Sequence, residues 1–245
     1  MFQEDEKYIY ITSLEEIKTL EPYKNSKYGA NSNIYIYKEN ELLKVFNEKE
    51  SIRKLKDMEY LQEIKTTNIV KPNKFLFINH DFYGFSMDII KGSMLAYINP
   101  TTHIKDFLKS LLNVEEDLRK LSKKYLCNTD LNALNIIYSR EKKQSYVIDS
   151  NSIYYFGNRS YEQCLINNLI ALYLQVLSVL SKVASFEFTD NMFLLRTREQ
   201  IKYYTDFIIN IEEYFNYIKE ALENYVDEDI NTIADFRKSL KLINE

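Results

Sequence analysis

The chain contains little cysteine, histidine, glycine or proline, and it contains no tryptophan. Its 245 residues include two Cys, two His, four Gly and three Pro. Two cysteines cannot build the disulfide framework of a small secreted domain, and with so few histidines there is no Cys/His cluster at metal-ligand spacing. Because the cysteines are so few, we expect a protein of a reducing compartment, the cytoplasm. Internal repeats and low-complexity segments are also missing.

Strong net charge and long apolar runs are missing as well. The net charge is −4, from 32 basic and 36 acidic side chains, which gives no strong field for nucleic acid or an anionic membrane. Residues 1–7 are acidic and lack the cationic start and apolar core of a secretory signal. The most apolar run, residues 165–183, is interrupted by Asn, Gln, Ser and Lys, whereas a membrane span needs about 20 mostly apolar residues. We expect a core helix over 165–183, no cleaved export signal, and neither a membrane nor a nucleic-acid partner.

The chain does contain enough apolar residues for a sizeable core, 45% of the total. The predicted strands cover residues 8–12, 34–37, 42–46, 75–78 and 83–87, and a predicted hairpin pairs 135–138 with 145–148. The predicted helices cover residues 48–65, 104–112, 114–125, 161–183, 197–224 and 228–242. Ser13 and Glu16 have the spacing of a capping box, which predicts a short helix. The change from β-rich to helical sequence predicts one two-lobed unit or two small domains.

Three polar residues follow one another at spacings suited to phosphoryl transfer. Asp130 and Asn135 lie between the predicted helix 114–125 and an apolar strand, and Asp149 ends the next apolar strand. In phosphoryl transfer from ATP, one carboxylate orients or deprotonates the acceptor hydroxyl, while an amide and a second carboxylate hold Mg²⁺ on the phosphates. The alternative is two turn-capping acids and an Asx turn, which the order and spacing disfavour.

These loops resemble the catalytic and metal-binding loops of the protein-kinase-like superfamily, over about residues 25–185 of the chain. The resemblance implies an α+β, two-lobed fold with a β-rich N-lobe at 1–88, a hinge at 89–92 and a helical C-lobe at 93–245. It also implies an ATP- and Mg²⁺-dependent phosphotransferase. In it Asp130 is the catalytic carboxylate, and Asn135 and Asp149 are the Mg²⁺ ligands.

Lys44 lies in the apolar strand 42–46, where the family has the lysine that reaches the nucleotide phosphates. Taken alone, Lys44 would be a solvent-facing residue of an edge strand, because lysine is rarely buried unpaired. The resemblance instead makes it a catalytic and nucleotide-binding residue whose counter-charge is an acid on the following helix. An ungapped alignment places Asp57 there, and Glu59 and Glu50 remain alternatives.

The family holds the phosphates with a glycine-rich turn, where the missing Cβ atoms let backbone N–H groups approach the anion. The corresponding stretch, 27–34, retains one glycine. By resemblance, Gly29, Ser32 and Ile34 contact the nucleotide.

The segment 87–95 resembles the family's connector between the two lobes. The resemblance implies that the C=O of Asp88 and the N–H of Ile90 face adenine, with Met87 behind it. The alternative is a strand that ends in a turn.

The chain also departs from protein kinases in the same loops. Asn128-Thr129 replaces His-Arg, Asn132 replaces the lysine two positions after the catalytic aspartate, and residues 149–151 read Asp-Ser-Asn in place of Asp-Phe-Gly. These differences resemble the aminoglycoside and choline phosphotransferases, and they also fit a minimal bacterial protein kinase. The expected acceptor is a hydroxyl of a protein or a small molecule. The alternatives are a catalytically weak or inactive kinase-fold regulator that binds nucleotide and a partner protein, and transfer of another ATP-derived group.

Overall fold

A computed structural model describes residues 2–23, 31–181 and 229–242, together with the isolated positions Asn216, Lys219, Glu220 and Glu223. The chain divides into two compact units. The first comprises residues 1–65 and 70–90, and the second comprises residues 66–69 and 91–245. The predicted phosphate-loop residue Gly29 lies outside the described residues, as does most of the predicted helix 197–224.

The first unit is built on a six-stranded sheet in the order β1-β2-β5-β6-β4-β3. Its neighbours are antiparallel except for the parallel pair β2 and β5. The strands are β1 (Gln3–Glu4), β2 (Tyr8–Ile11), β3 (Ser32–Lys38), β4 (Glu41–Phe46), β5 (Phe75–Ile78) and β6 (Asp81–Asp88). All five strands predicted in this part of the chain are confirmed, and β1 is additional.

The two faces of this sheet have different neighbours. Strand residues alternate between faces, and Leu43 and Val45 of β4 belong to a buried cluster that includes Ile9, Ile11, Leu76 and Ile78. The opposite face of β4 carries Leu42, Lys44 and Phe46. Helix α1 (Ile52–Glu63) lies on that second face, since the ammonium of Lys54 is 4.8 Å from the centre of the Phe46 ring.

Two predicted helices of the first unit differ from the structure. Helix α1 is shorter than the predicted 48–65 because Ser51 caps it, accepting the N–H of Lys54 at 3.2 Å. The expected capping box at Ser13 does not form. The Glu16 carboxylate instead accepts the N–H of Thr12 at 2.9 Å, and only a 3-10 turn, Ile17–Thr19, follows.

The second unit combines helices with two small sheets, of order β10-β9-β7 and β11-β8. Its elements are β7 (Ser93–Met94), α2 (Ile104–Ser122), β8 (Leu126–Asn128), β9 (Ile136–Ser139), β10 (Gln144–Val147), β11 (Ile153–Tyr155), α3 (Tyr161–Ser181) and α4 (Ile233–Leu242). The predicted hairpin is confirmed as β9 and β10, which pair Ile136 with Val147.

The predicted helices 104–112 and 114–125 form one helix, α2. A break near Asn113 was expected, but the buried residues Phe107, Leu111, Val114, Leu118 and Leu121 recur every three or four positions across it. This spacing keeps them on one face of a continuous helix. Asn113 is exposed on the opposite side and does not interrupt the helix.

Residues 66–69 belong to the second unit, where a buried aspartate of α2 binds them. Asp117 Oδ2 accepts the N–H groups of Thr67 at 2.7 Å and Asn68 at 2.6 Å. The Asn68 amide donates to the C=O of Ser145 at 2.7 Å, and its own C=O accepts the N–H of Val147 at 2.8 Å. These bonds attach the segment to α2 and to β10.

Within the described residues, one stretch, Tyr161–Leu180 of α3, is long and apolar enough by composition to cross a membrane. More than half of it, 53%, is buried inside the protein. Its Asn168 is fully buried and makes hydrogen bonds to Leu126, Ser122 and Asn128. Burial and internal polar contacts are the properties of a core helix, as expected from the sequence.

Candidate functional site

The loop between β8 and β9 brings Asp130 and Asn135 together. The Asn135 amide donates to Asp130 Oδ2 at 3.1 Å and to the Asp130 C=O at 2.9 Å. The Asn132 amide donates to Asp130 Oδ1 at 2.9 Å. Both oxygens of the carboxylate therefore accept a hydrogen bond from a neutral amide, and this fixes the orientation of a side chain that is exposed to solvent.

The β9–β10 hairpin places Asp149 beside the same loop. The hairpin register continues past its paired strands, because the N–H of Ile148 donates to the C=O of Asn135 at 3.0 Å. Asp149 is the next residue, and its Oδ2 accepts the hydroxyl of Ser152 at 3.0 Å. Asn135 and Asp149, the two predicted metal ligands, therefore flank the same end of one hairpin.

In the first unit, Lys44 is half-buried on β4, paired with Ile34 on β3 and with Phe85 on β6. Of the three acids considered as its partner, Glu50 pairs with Lys54 at 2.8 Å and Glu59 pairs with Lys7 at 2.9 Å. The third acid, Asp57, is only 6% exposed and lies on α1. The ion pair between Lys44 and Asp57 remains a prediction, and the two alternative acids are engaged by other lysines.

Gly84 allows β6 to approach β4 closely at Lys44. A Cβ atom on Gly84 would lie 2.0 Å from the carbonyl oxygen of Lys44, far inside any real contact. Only glycine fits there without displacing one of the two strands. The sequence interpretation did not identify Gly84, although a glycine within an apolar strand indicates a close backbone approach.

The predicted connector begins at the end of β6. Met87 is buried opposite Leu42, and the Asp88 carboxylate accepts the amide of Asn73 at 2.8 Å. The N–H of Ile89 donates to Asn40, whereas the N–H of Ile90 makes no hydrogen bond to any residue in the described part of the chain. The latter is the group predicted to face adenine.

The predicted phosphate-loop residues Ser32 and Ile34 lie on β3. Ser32 is buried opposite Phe46, and Ile34 is half-buried opposite Lys44. Their contacts with a nucleotide remain a prediction.

Comparison with known proteins identifies the fold. No family model and no curated protein matches the chain. Solved structures do match, 1371 chains in all, so the likeness does not depend on one neighbour. One is the kinase PK-1 of Cydia pomonella granulovirus, which has a TM-score of 0.52 and 15% identity over 69% of this chain and 71% of that chain. The chain has a kinase-like fold.

The predicted α+β class is confirmed by this likeness. An identity of 15% shows the fold and does not distinguish protein kinases from small-molecule phosphotransferases. The fold alone does not fix the chemistry, which depends on the side chains that this chain places in its loops.

Three polar residues of α3 hold the segment 128–135, which carries Asp130 and Asn135. Asn168 Oδ1 accepts the N–H of Asn128 at 2.8 Å, the Asn167 amide donates to the C=O of Asn128 at 3.0 Å, and Gln175 Oε1 accepts the N–H of Ala133 at 3.2 Å. In the sequence they were visible only as interruptions of an apolar run. Because buried amides need partners, those interruptions were the available signal for a loop packed against this helix.

The backbone around Asp130 is held from a second direction. The N–H and hydroxyl of Thr129 both donate to the C=O of Ser152, at 2.9 and 3.0 Å. The N–H of Asp130 donates to Asn128 Oδ1 at 3.0 Å. Asn128 is 1% exposed, so a buried amide holds the backbone of Asp130 in place.

The side chains near the hairpin end suit a hard divalent cation. The described residues contain no group of three or more His, Cys, Asp or Glu able to hold a metal. Asn135 directs its NH₂ group to Asp130, and no described residue donates a hydrogen bond to its Oδ1. This oxygen and the Asp149 carboxylate are the donor types that Mg²⁺ prefers, with phosphates and water as its remaining ligands. The residues present fit the expected cation.

Both cysteines are buried, and Cys127 lies shortly before Asp130 in the chain. Cys127 is on β8, Cys164 is on α3, and neither forms a disulfide. Burial, together with a hydrogen bond to Cys127, raises the pKa of Cys164 to about 12. A thiol with so high a pKa is a poor nucleophile at neutral pH.

Proposed function

We propose that the chain is an ATP- and Mg²⁺-dependent phosphotransferase, a kinase that transfers the γ-phosphoryl group to a hydroxyl of a protein or small-molecule acceptor in the cytoplasm. The observation that carries the proposal is the hydrogen bond between Asn135 and Asp130, with Asp149 beside Asn135 at the hairpin end. A kinase-like fold could retain its shape without these contacts. Their presence supports catalysis beyond the fold.

Asn135 and Asp149 would hold Mg²⁺ on the phosphates of ATP. When bound, ATP would supply the transferred group and Mg²⁺ would neutralise part of its charge. Asn135 would contribute Oδ1, and Asp149 would contribute its carboxylate, whose Oδ2 accepts the Ser152 hydroxyl.

Asp130 would accept the hydrogen bond of the acceptor hydroxyl and take its proton as the new P–O bond forms, while the bond from the γ-phosphorus to the bridging oxygen breaks and ADP leaves. Its orientation is set by Asn132 and Asn135, and its backbone by Asn128. Pre-positioning of this kind accounts for most of what a protein contributes to phosphoryl transfer, because the transition state requires little covalent chemistry from the enzyme.

The first unit would hold the nucleotide. Lys44 would bind its phosphates with Asp57 as counter-charge, and Ser32 and Ile34 would line the phosphate side together with Gly29. The C=O of Asp88 and the N–H of Ile90 would bind the adenine edge, with Met87 behind it. The support is the half-buried position of Lys44, the burial of Asp57 and Met87, and the unbonded N–H of Ile90 within the described residues.

A second candidate is a weak or inactive kinase-fold regulator that binds nucleotide and a partner protein. The specific observation that favours it is the hydrogen bond from the neutral Asn132 amide to Asp130 Oδ1, at the position where protein kinases have a lysine. Asn132 also cannot neutralise the transferred group as a lysine would.

Transfer of phosphate from ATP by the purified protein, with cell extract as the acceptor source, tests the proposal. We expect Mg²⁺-dependent transfer that is abolished in Asp130→Ala and Asp149→Asn, and thermal stabilisation by Mg²⁺-ATP that survives in Asp130→Ala. Glu141→Gln, an exposed acid in the β9–β10 turn, is the matched control and should behave as wild type. Stabilisation without transfer would favour the regulator, and the absence of both would contradict the two candidates.

A further inference from the structure

An open groove of about 640 Å³ runs along one face of α3 in the second unit. Six of its lining residues are Arg159, Gln163, Ile166, Asn167, Ile170 and Leu174. The five that lie on α3 recur at helical spacing, so they form a single stripe. We call this surface the α3 groove.

The α3 groove borders the catalytic loop. Asn167 lines the groove and donates to the C=O of Asn128, and Asn128 in turn accepts the N–H of Asp130. At the other end of the groove, Arg159 Nη1 lies 3.8 Å from Cys127 Sγ. Two residues that line the groove, Asn167 and Arg159, therefore contact the buried residues 127 and 128, which stand directly before the aspartate proposed to receive the acceptor hydroxyl.

Arg159 gives the groove a positive charge that no carboxylate in the described part of the chain neutralises. Its guanidinium stacks on the Phe156 ring, 4.1 Å from the ring centre. Glu162, the nearest acid in sequence, is exposed and makes no ion pair with Arg159. None of the groove's lining residues is acidic. Apart from the contact of Nη1 with Cys127 Sγ, this guanidinium makes no hydrogen bond within the described residues, so it can pair a carboxylate.

The shape of the groove suits an extended chain better than a compact molecule. From Gln163 to Leu174 the helix rises about 16 Å at 1.5 Å per residue. An extended peptide covers that length with about five residues at 3.3 Å each. Small-molecule sites usually enclose most of the ligand surface, whereas this groove is open to solvent. Its mixture of amides and aliphatic side chains matches a peptide backbone and its side chains.

We infer that the α3 groove binds an extended acidic segment of a protein acceptor, with Arg159 pairing a carboxylate close to the hydroxyl that is phosphorylated. The catalytic consequence rests on the proposed phosphotransferase activity, but the binding itself does not. The inference therefore selects a protein acceptor over a small molecule, and an acidic recognition sequence over a basic or neutral one.

Binding of fluorescein-labelled nine-residue peptides without ATP tests this inference. Each peptide carries a central serine flanked by acidic, neutral or basic residues, and fluorescence anisotropy gives the Kd. We expect wild type to bind the acidic peptide most tightly, and Arg159→Gln to bind it about tenfold more weakly, as for loss of a charged hydrogen-bonded pair. Arg159→Glu should reverse the preference towards the basic peptide.

Arg140→Gln and Arg140→Glu are the matched controls, since Arg140 is an exposed arginine in the β9–β10 turn. Both should retain the wild-type preference. A reversed preference in Arg159→Glu cannot come from misfolding, because a misfolded protein gains no ligand. If Arg159→Glu does not fold, Ile170→Lys and Ile170→Glu in the groove should strengthen and weaken acidic-peptide binding, respectively.

The inference is overturned if wild type binds the three peptides equally, or if the Arg159 and Arg140 variants behave alike. These binding measurements need no turnover. Peptide selectivity without phosphate transfer would therefore contradict the proposed function but support peptide binding in the α3 groove. Phosphate transfer that is insensitive to Arg159 would support the proposed function but contradict the role of the groove.

Discussion

Asn168 on α3 accepts the backbone N–H of Asn128 at 2.8 Å, and the same side chain donates to the hydroxyl of Ser122 and to the C=O of Leu126, each at 2.9 Å. One fully buried amide thus joins the end of α2, the strand β8 and the helix α3. Because β8 leads directly into the loop that carries Asp130, the position of Asp130 depends on a residue that is far from it in sequence.

Replacing Asn168 should therefore destabilise the protein and impair the loop together. Asn168→Ala leaves the buried N–H of Asn128 and C=O of Leu126 without partners, so we expect a loss of about 2–4 kcal/mol in the free energy of unfolding. Asn167→Ala removes one hydrogen bond from a half-buried side chain and should cost about 1 kcal/mol or less. Urea denaturation of the two variants gives the comparison, and equal losses would argue against the special role of Asn168.

The two asparagines that bind Asp130 should have separable effects on transfer. Asn135→Ala removes a proposed Mg²⁺ ligand, so we expect activity to fall by about 10–100-fold and half-saturation to require more Mg²⁺. Asn132→Ala removes a hydrogen bond to Asp130 Oδ1 without touching the proposed cation site, so the Mg²⁺ dependence should stay as in wild type. Initial rates over a range of Mg²⁺ concentrations measure both effects. The same Mg²⁺ dependence in the two variants would contradict the assignment of Asn135.

The order of the loops could be predicted from the sequence, whereas the side chains that support them could not. Asp130 and Asn135 lie on one short loop, so their spacing alone predicts that they can meet. The contacts of Asn168 with Ser122, Leu126 and Asn128 join residues that are 40 or more positions apart. Such pairings arise from packing of the whole unit, and a periodic pattern in a single helix contains no information about them.

Two local sequence signals, at Ser13 and at Asn113, gave wrong predictions of where helices begin and end. Ser13 has a favourable capping-box spacing, yet Glu16 bonds back to Thr12 and no α-helix follows. Asn113 interrupts the apolar pattern, yet α2 continues because Leu111 and Val114 are both buried on either side of it. Intrinsic preferences of a few tenths of a kcal/mol are small beside the burial of a whole helix face.

Gly84 should be intolerant of any side chain. In Gly84→Ala the new Cβ meets the carbonyl oxygen of Lys44, and neither backbone can move without breaking the pairing of β4 and β6. We expect a loss of about 2–3 kcal/mol in the free energy of unfolding, with weaker thermal stabilisation by Mg²⁺-ATP because Lys44 is displaced.

Gly157→Ala is the matched control for this substitution. The nearest obstacle to its Cβ is the side chain of Tyr155, which is exposed and can turn away. The expected cost is below about 1 kcal/mol. If the two glycine variants have the same stability, the close approach of β6 to Lys44 is not a constraint on the fold.

The attachment of β1 to the sheet should depend on pH through Glu4. Burial disfavours the charged carboxylate, but hydrogen bonds from Lys38, Tyr37 and Lys74 outweigh it and lower the pKa of Glu4 from 4.5 to about 2. Because the pKa is lower in the folded state, Glu4 contributes its full stabilisation above about pH 4.5 and loses it as the pH falls towards 2. The free energy of unfolding should therefore fall more steeply between pH 4.5 and 2 in wild type than in Glu4→Gln. Glu15→Gln, in which an exposed acid loses its exposed partner Lys18, should follow the wild-type curve.

If wild type and Glu4→Gln lose stability in parallel as the pH falls, then the three donors to Glu4 do not hold β1 in solution.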